Sequence, residues 1–132
     1  MVITQGRHPV DETIRRIEAG LAERGLTLFA RIDHAAGARA AGLDLPDEVV
    51  LLFGDPRVGT LLMREAPAVG IALPLRMLVW LEDGVTRIGF EEPAELAERF
   101  GITGHAETLE EMHLLLDGLA AAAEGEGTET AI

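Results

Sequence analysis

The dipeptide Asp83-Gly84 constrains this chain more than any other pair of residues. It lies between two apolar runs. Asp-Gly suits a two-residue turn of the primed type, whose left-handed backbone matches the twist of paired strands. If Glu82 pairs with Val85, the register of residues 76–90 follows. Leu81 then faces Thr86, Val79 faces Ile88 and Met77 faces Phe90, which makes one apolar side. On the other side Leu78 faces Gly89 and Trp80 faces Arg87, an expected cation–π pair.

Helical and extended segments precede and follow this hairpin. Val2–Gln5 reads as a short strand. Val10, Ile14, Ile17 and Leu21 recur at helical spacing, so a helix is expected from Val10 to Arg24, stopped by Gly25. Leu26–Asp33 alternates: Leu26, Leu28, Ala30 and Ile32 are expected on one face, and Thr27, Phe29, Arg31 and Asp33 on the other. The small-residue stretch His34–Ala41 reads as a short helix ending at Gly42. Glu48–Gly54 is apolar on both faces, as a central strand covered on both sides would be. Asp55 and Pro56 cap and open a helix with Val58, Leu61 and Leu62 inward, ended by Pro67. Pro93–Phe100 reads as a helix, and Thr108-x-x-Glu111 as the capping box of a last helix from Leu109 to Ala123. The expected fold is α+β: four to five strands, antiparallel or mixed, with helices on one face. The order is β-α-β-(α)-β-α-β-β-α-α. Residues 1–123 form a single domain, and 124–132 an acidic, disordered tail.

A chain of 132 residues is long enough for one sizeable core without staples. Composition then narrows its chemistry. Cys, Ser, Tyr, Lys and Asn are all missing, which removes Ser and Cys nucleophiles, Schiff-base lysines, tyrosine acids and thiolate metal sites. Eleven basic residues, all Arg, face 23 acidic ones for a net charge of −12, so neither nucleic acid nor an anionic membrane surface is an expected partner. No apolar run reaches the ~18 residues of a membrane span, and the N-terminus lacks a signal-peptide layout, so a cytoplasmic location is expected.

The candidate constellations are few. Gly54-x4-Gly59 follows a strand and opens a helix, the spacing of a phosphate loop. Thr60 stands where that loop needs Lys, and Asp55 sets a negative charge where phosphate would sit, so a helix cap is the better reading. Glu110-x-x-His113 is a single copy of a spacing that di-iron sites use twice, and a boundary histidine fits it better. Asp33-His34 ends a strand before small residues. A carboxylate there can orient an imidazole for proton transfer or metal ligation, with Arg31 or Arg39 holding an anionic substrate. The competing reading is that both residues satisfy backbone at a strand end. Phe29, Leu78 and Trp80, with Arg87, are assigned to the sheet face away from the helices. A second copy of the chain is the simplest cover for that much apolar surface.

The ordered set Thr13, Arg31-Ile32-Asp33-His34, Leu52-Phe53-Gly54-Asp55-Pro56, Gly59-Thr60-Leu61-Leu62-Met63, Gly70-Ile71-Ala72-Leu73-Pro74-Leu75 and the hairpin ending at Pro93 resembles the bacterial and archaeal family called domain of unknown function 302. The resemblance covers about residues 2–103. It implies an antiparallel sheet with packed helices, often a homodimer, and no particular activity. Two departures stand out: Asp55 where the family usually has Asn, and Arg99-Phe100 where it often has Arg-His. The expected function is a homodimeric domain that binds a small molecule or a protein, without catalysis and with no metal or cofactor. Arg31, Asp33, His34, Gly54 and Asp55 are the candidate ligand residues, and Phe29, Leu78, Trp80 and Arg87 the candidate interface. The alternative is an enzyme or metal-binding domain centred on Asp33-His34.

Overall fold

Five antiparallel strands form one sheet in the order β1-β5-β4-β3-β2. They are β1 (Val2–Gly6), β2 (Thr27–Asp33), β3 (Glu48–Gly54), β4 (Leu75–Glu82) and β5 (Val85–Phe90). The helices are α1 (Val10–Glu23), α2 (His34–Ala40), α3 (Pro56–Glu65), α4 (Pro93–Arg99) and α5 (Ala106–Glu124), with a 3-10 segment at Pro67–Ala72. The computed structural model describes residues 1–125.

The β4–β5 hairpin has the register that Asp83-Gly84 predicts, from Glu82 opposite Val85 to Met77 opposite Phe90. Asp83 and Gly84 both have positive φ, 53° and 76°, as a primed turn demands. β3 extends the sheet beyond β4, with Val49 opposite Val79 and Leu51 opposite Met77. Val49, Leu51, Phe53, Met77, Val79, Ile88 and Phe90 thus share one face and are buried. α1 contributes Val10, Ile14, Ile17 and Leu21, and α5 contributes Leu116, Leu119, Ala120 and Ala123, to close this core. The two helices come so near at Gly20 that a Cβ there would lie 2.9 Å from Leu119 Cδ2. A second core of Leu62, Val69, Leu96, Ala97, Ile102 and Met112 joins α3, the 3-10 segment, α4 and α5.

The opposite face carries no helix of this core. Ile3 and Ile32 on it are about half exposed, at 51% and 45%. Val50, Leu52, Leu78 and Trp80 are half-buried. β3 is therefore sealed on one side only, less than the double cover expected.

Several expectations fail for local reasons. β2 does not alternate as its sequence suggests. A β-bulge between Leu28 and Ala30 shifts the phase, so Leu28 pairs with Phe53 while Ala30 and Ile32 pair with Leu52 and Val50 on the opposite face. Arg31 and Asp33 therefore lie on the helix side, and the whole edge strand is largely exposed. The bulge also leaves Phe29 at the Gly54 end of β3, whereas Trp80 pairs with Glu48 at its other end. The two rings do not form one patch. The Trp80–Arg87 cation–π pair does not form either. The Trp80 ring lies over Gly89, about 3 Å from where a Cβ would stand, and its Nε1 donates to Glu82 Oε1 at 2.8 Å. Arg87 Nε reaches the same carboxylate at 3.4 Å. Glu82, two residues along on the same face, outcompetes the ring for the guanidinium.

α5 begins at Ala106, so Thr108 lies inside the helix and caps nothing. The start is set by His105 in the left-handed region at φ 64°. α5 also runs through Glu124, whose carbonyl accepts from Arg7 N–H at 2.8 Å, so Glu124 is not part of a tail. The expected disorder of 126–132 concerns residues outside those described. In α3 only Leu62 is fully buried, and Leu61 is 37% exposed.

Candidate functional site

The strand-to-helix corner after β3 opens onto a cavity of about 510 Å³. Asp55 turns the chain there. Its carboxylate accepts from Arg57 N–H at 2.9 Å, capping α3, and Pro56 fills the first helical position, where no N–H is needed. From α3, Val58, Gly59 and Met63 form one wall. The opposite wall comes from the 3-10 segment and the entry to β4, with Gly70, Leu73 and Pro74. Leu52 and Phe53 of β3, Met112 of α5 and the bulged Phe29 complete the lining.

Small residues make this space. A Cβ at Gly59 would meet Leu73 Cδ1 at 3.6 Å, and one at Gly70 would meet Met63 Sδ at 3.2 Å. Glycine at both places lets α3 and the 3-10 segment converge without filling the gap. Met63 and Met112 are unbranched and can adapt to differently shaped occupants. Apolar surface dominates the lining. Among the described residues its one charged residue is Asp55, and no base lines it.

Asp55 is held by its neighbour. Arg57 Nε and Nη2 donate to its carboxylate at 3.2 and 3.1 Å. These hydrogen bonds, with the backbone bond from Arg57, keep the Asp55 carboxyl below the ordinary carboxylate range. The Arg57 side chain is 90% exposed and contributes nothing to the wall, whereas that of Asp55 is 25% exposed.

Asp33 and His34 lie elsewhere. Asp33 pairs with Val49 and Thr27 with Gly54, so Asp33-His34 and Gly54-Asp55 occupy opposite ends of the β2–β3 ladder. Asp33 caps α2 by accepting from Ala36 N–H at 2.8 Å, the backbone role weighed against a catalytic one. His34 is exposed, and Arg31 reaches across to Glu18 of α1 at 3.1 Å. The five ligand candidates thus divide into two groups, and only Gly54 and Asp55 line the cavity. Leu78, Trp80 and Arg87 stand together on the uncovered sheet face. His113 Nδ1 lies 2.6 Å from Glu92 Oε1, pairing α5 with the start of α4. Among the described residues, no three of His, Asp and Glu gather closely enough to hold a metal ion.

Sequence reasoning missed Leu52, Val58, Gly59, Met63, Gly70, Leu73, Pro74 and Met112 as parts of one site. The available signal was the recurrence of glycine at 54, 59 and 70 beside Met63. Four separate stretches of chain build the walls, and no periodicity within any one of them reports the others.

An antiparallel five-stranded sheet, covered by helices on one face and bearing an apolar cavity at its end, defines an α+β domain. Among the described residues no helix is long and apolar enough to cross a membrane. The chain belongs to the family described as domain of unknown function DUF302, whose model matches residues 2–119. A crystal structure of an uncharacterized conserved DUF302 protein from Bacillus stearothermophilus superimposes with a TM-score of 0.83, covering 92% of this chain and 96% of that one. At 23% identity this likeness speaks to the fold alone. Over 104 residues the chain is 41% identical to the fluoride-specific ion channel FluC 1 of Brucella suis, covering 77% of this chain and 41% of that protein. The same identity holds to FluC 2 of Brucella melitensis, of which 38% is covered. The chain therefore spans about two fifths of the length of these curated relatives.

Proposed function

We propose that this domain is a non-catalytic binding module that takes a small, mainly apolar molecule into the cavity beside α3 and pairs with a second copy through its uncovered sheet face. The cavity carries the reading. A space of about 510 Å³ lies in the size range of small-molecule sites, and its walls are mainly apolar, with Asp55 the one charged residue among the described lining and Thr60 its polar neighbour. The absent nucleophile types and the remoteness of His34 favour binding over catalysis. The test is a methyl-resolved NMR titration with 1-octanol. Saturable shifts at the Met63 and Met112 methyls are expected, and Gly59→Leu, which fills the space from α3, weakens binding at least tenfold. Absence of saturable shifts would overturn the reading. For the pairing, sedimentation equilibrium is expected to give twice the 14.1 kDa chain mass.

The partial match to the Brucella proteins favours a second reading on separate grounds. The matched 41% of a protein named as a fluoride channel corresponds to a chain whose described helices cannot cross a membrane. We infer that this domain works beside a membrane fluoride channel, as an extramembrane part or companion. Deleting the corresponding segment from the B. suis protein is expected to leave a membrane-inserted remainder and to change cellular fluoride tolerance. Unchanged tolerance would remove this reading and leave the first intact.

A further inference from the structure

We propose that the occupant of the α3 cavity is a cationic amphiphile, an apolar body with an amine that Asp55 receives in place of Arg57. The inference rests on the cavity being a ligand site. Three observations carry it.

First, among the described residues Asp55 is the one charged residue in the lining, and no Arg or His lines the cavity. A carboxylate or phosphate ligand would meet no counter-charge there and would face a fixed negative one. Second, the feature of a strand-to-helix corner that ordinarily attracts anions is the free N-terminus of the helix. Here Asp55 already occupies that end, its carboxylate bonded to Arg57 N–H at 2.9 Å. Third, the present partner of Asp55 is replaceable. The Arg57 guanidinium lies at 3.1–3.2 Å, but its side chain is 90% exposed and, among the described residues, is bonded to no other group. An exposed ion pair of this kind is held weakly. Exchanging it for a ligand ammonium keeps Asp55 neutralised, and the exchanged contact gains by being shielded beside the ligand's apolar body.

The test compares octylamine, 1-octanol and octanoate at pH 7, read by calorimetry and by the Met63 and Met112 methyl shifts. These probes share a chain and differ in the head group. Octylamine is expected to bind roughly tenfold more tightly than octanol, the worth of one partly screened charged hydrogen bond, and octanoate more weakly than either. The chain's net charge of −12 also attracts amines in general, so the decisive comparison is with Asp55→Asn. Asn caps a helix as well as Asp does, and the variant keeps almost all of the global charge. The amine-to-alcohol ratio should fall toward one in Asp55→Asn. It should rise severalfold in Arg57→Ala, which frees the carboxylate and keeps the cap. An amine advantage that survives Asp55→Asn, or no advantage while octanol still binds, overturns the inference and leaves the cavity as a site for neutral ligands. If none of the three probes binds, the inference and the cavity reading fall together.

Discussion

Leu51 and Ile32 belong to neighbouring strands of one sheet, yet they experience different solvents. Leu51 is fully buried beneath α1 and α5, while Ile32, on the opposite face and next to Val50, is 45% exposed. The alternation of a strand makes both residue types apolar, but only the helix face has something to pack against. One side of the sheet therefore provides most of the stability, and the other stays partly open to solvent.

The largest expected effect sets that asymmetry. Leu51→Ala should cost about 3–4 kcal/mol, because its surroundings are packed on every side, whereas Ile32→Ala should stay within about 0.5 kcal/mol in dilute solution. Urea unfolding of both variants measures the gap, and near-equal values would mean that the two faces are not energetically distinct. Next comes concentration. With a second copy on the open face, thermal stability should climb with protein concentration, and Ile3→Glu should flatten the climb without unfolding the chain. A melting point independent of concentration in the unaltered protein would leave that face bare.

A smaller effect tests the hairpin that both faces share. Gly84→Ala places a side chain at φ 76° and should cost roughly 1 kcal/mol, seen as a shift of the urea midpoint at constant slope. The smallest lies away from both faces. Glu65, at the end of α3, accepts from Thr103 N–H at 2.7 Å and Gly104 N–H at 3.1 Å, pinning the loop before α5. The Thr103 bond, followed by the Gly104 bond and nearby His105, holds the Glu65 carboxyl below its ordinary 4.5. Its contribution is therefore complete above that pH and disappears as the pH falls through the lower value reached in the folded protein. Glu65→Ala should lower the melting point by a few degrees at pH 7 and by progressively less toward pH 3, a difference that thermal scans across this range read directly.

Much of the architecture was legible because its signals are local. Asp83-Gly84 dictates a turn whichever sheet it joins, and the four apolar residues of α1 define a stripe without reference to a partner. The bulge in β2 is not of this kind. Leu26–Ile32 alternates cleanly, and the phase shift arises only where the strand meets β3. The start of α5 was hidden for a similar reason. Thr108-x-x-Glu111 has the composition of a cap, but Glu65, some forty residues earlier, ties down Thr103 and Gly104, and the helix begins from His105. In the candidate site, Asp55 and Gly54 were visible at a strand-to-helix corner. Phe29 was visible as an aromatic in search of cover, but its place in the cavity lining depends on the bulge.

The pairing of β1 with β5 has a consequence for synthesis. Residues 2–6 are synthesised some eighty residues before their partners, 86–90 of β5. At roughly 5–20 residues per second, the first strand waits several seconds or longer for its neighbour. Until then α1 can offer its apolar stripe to no finished sheet. Through this interval β1 has no strand to pair with, and the stripe of α1 has only part of its sheet to cover.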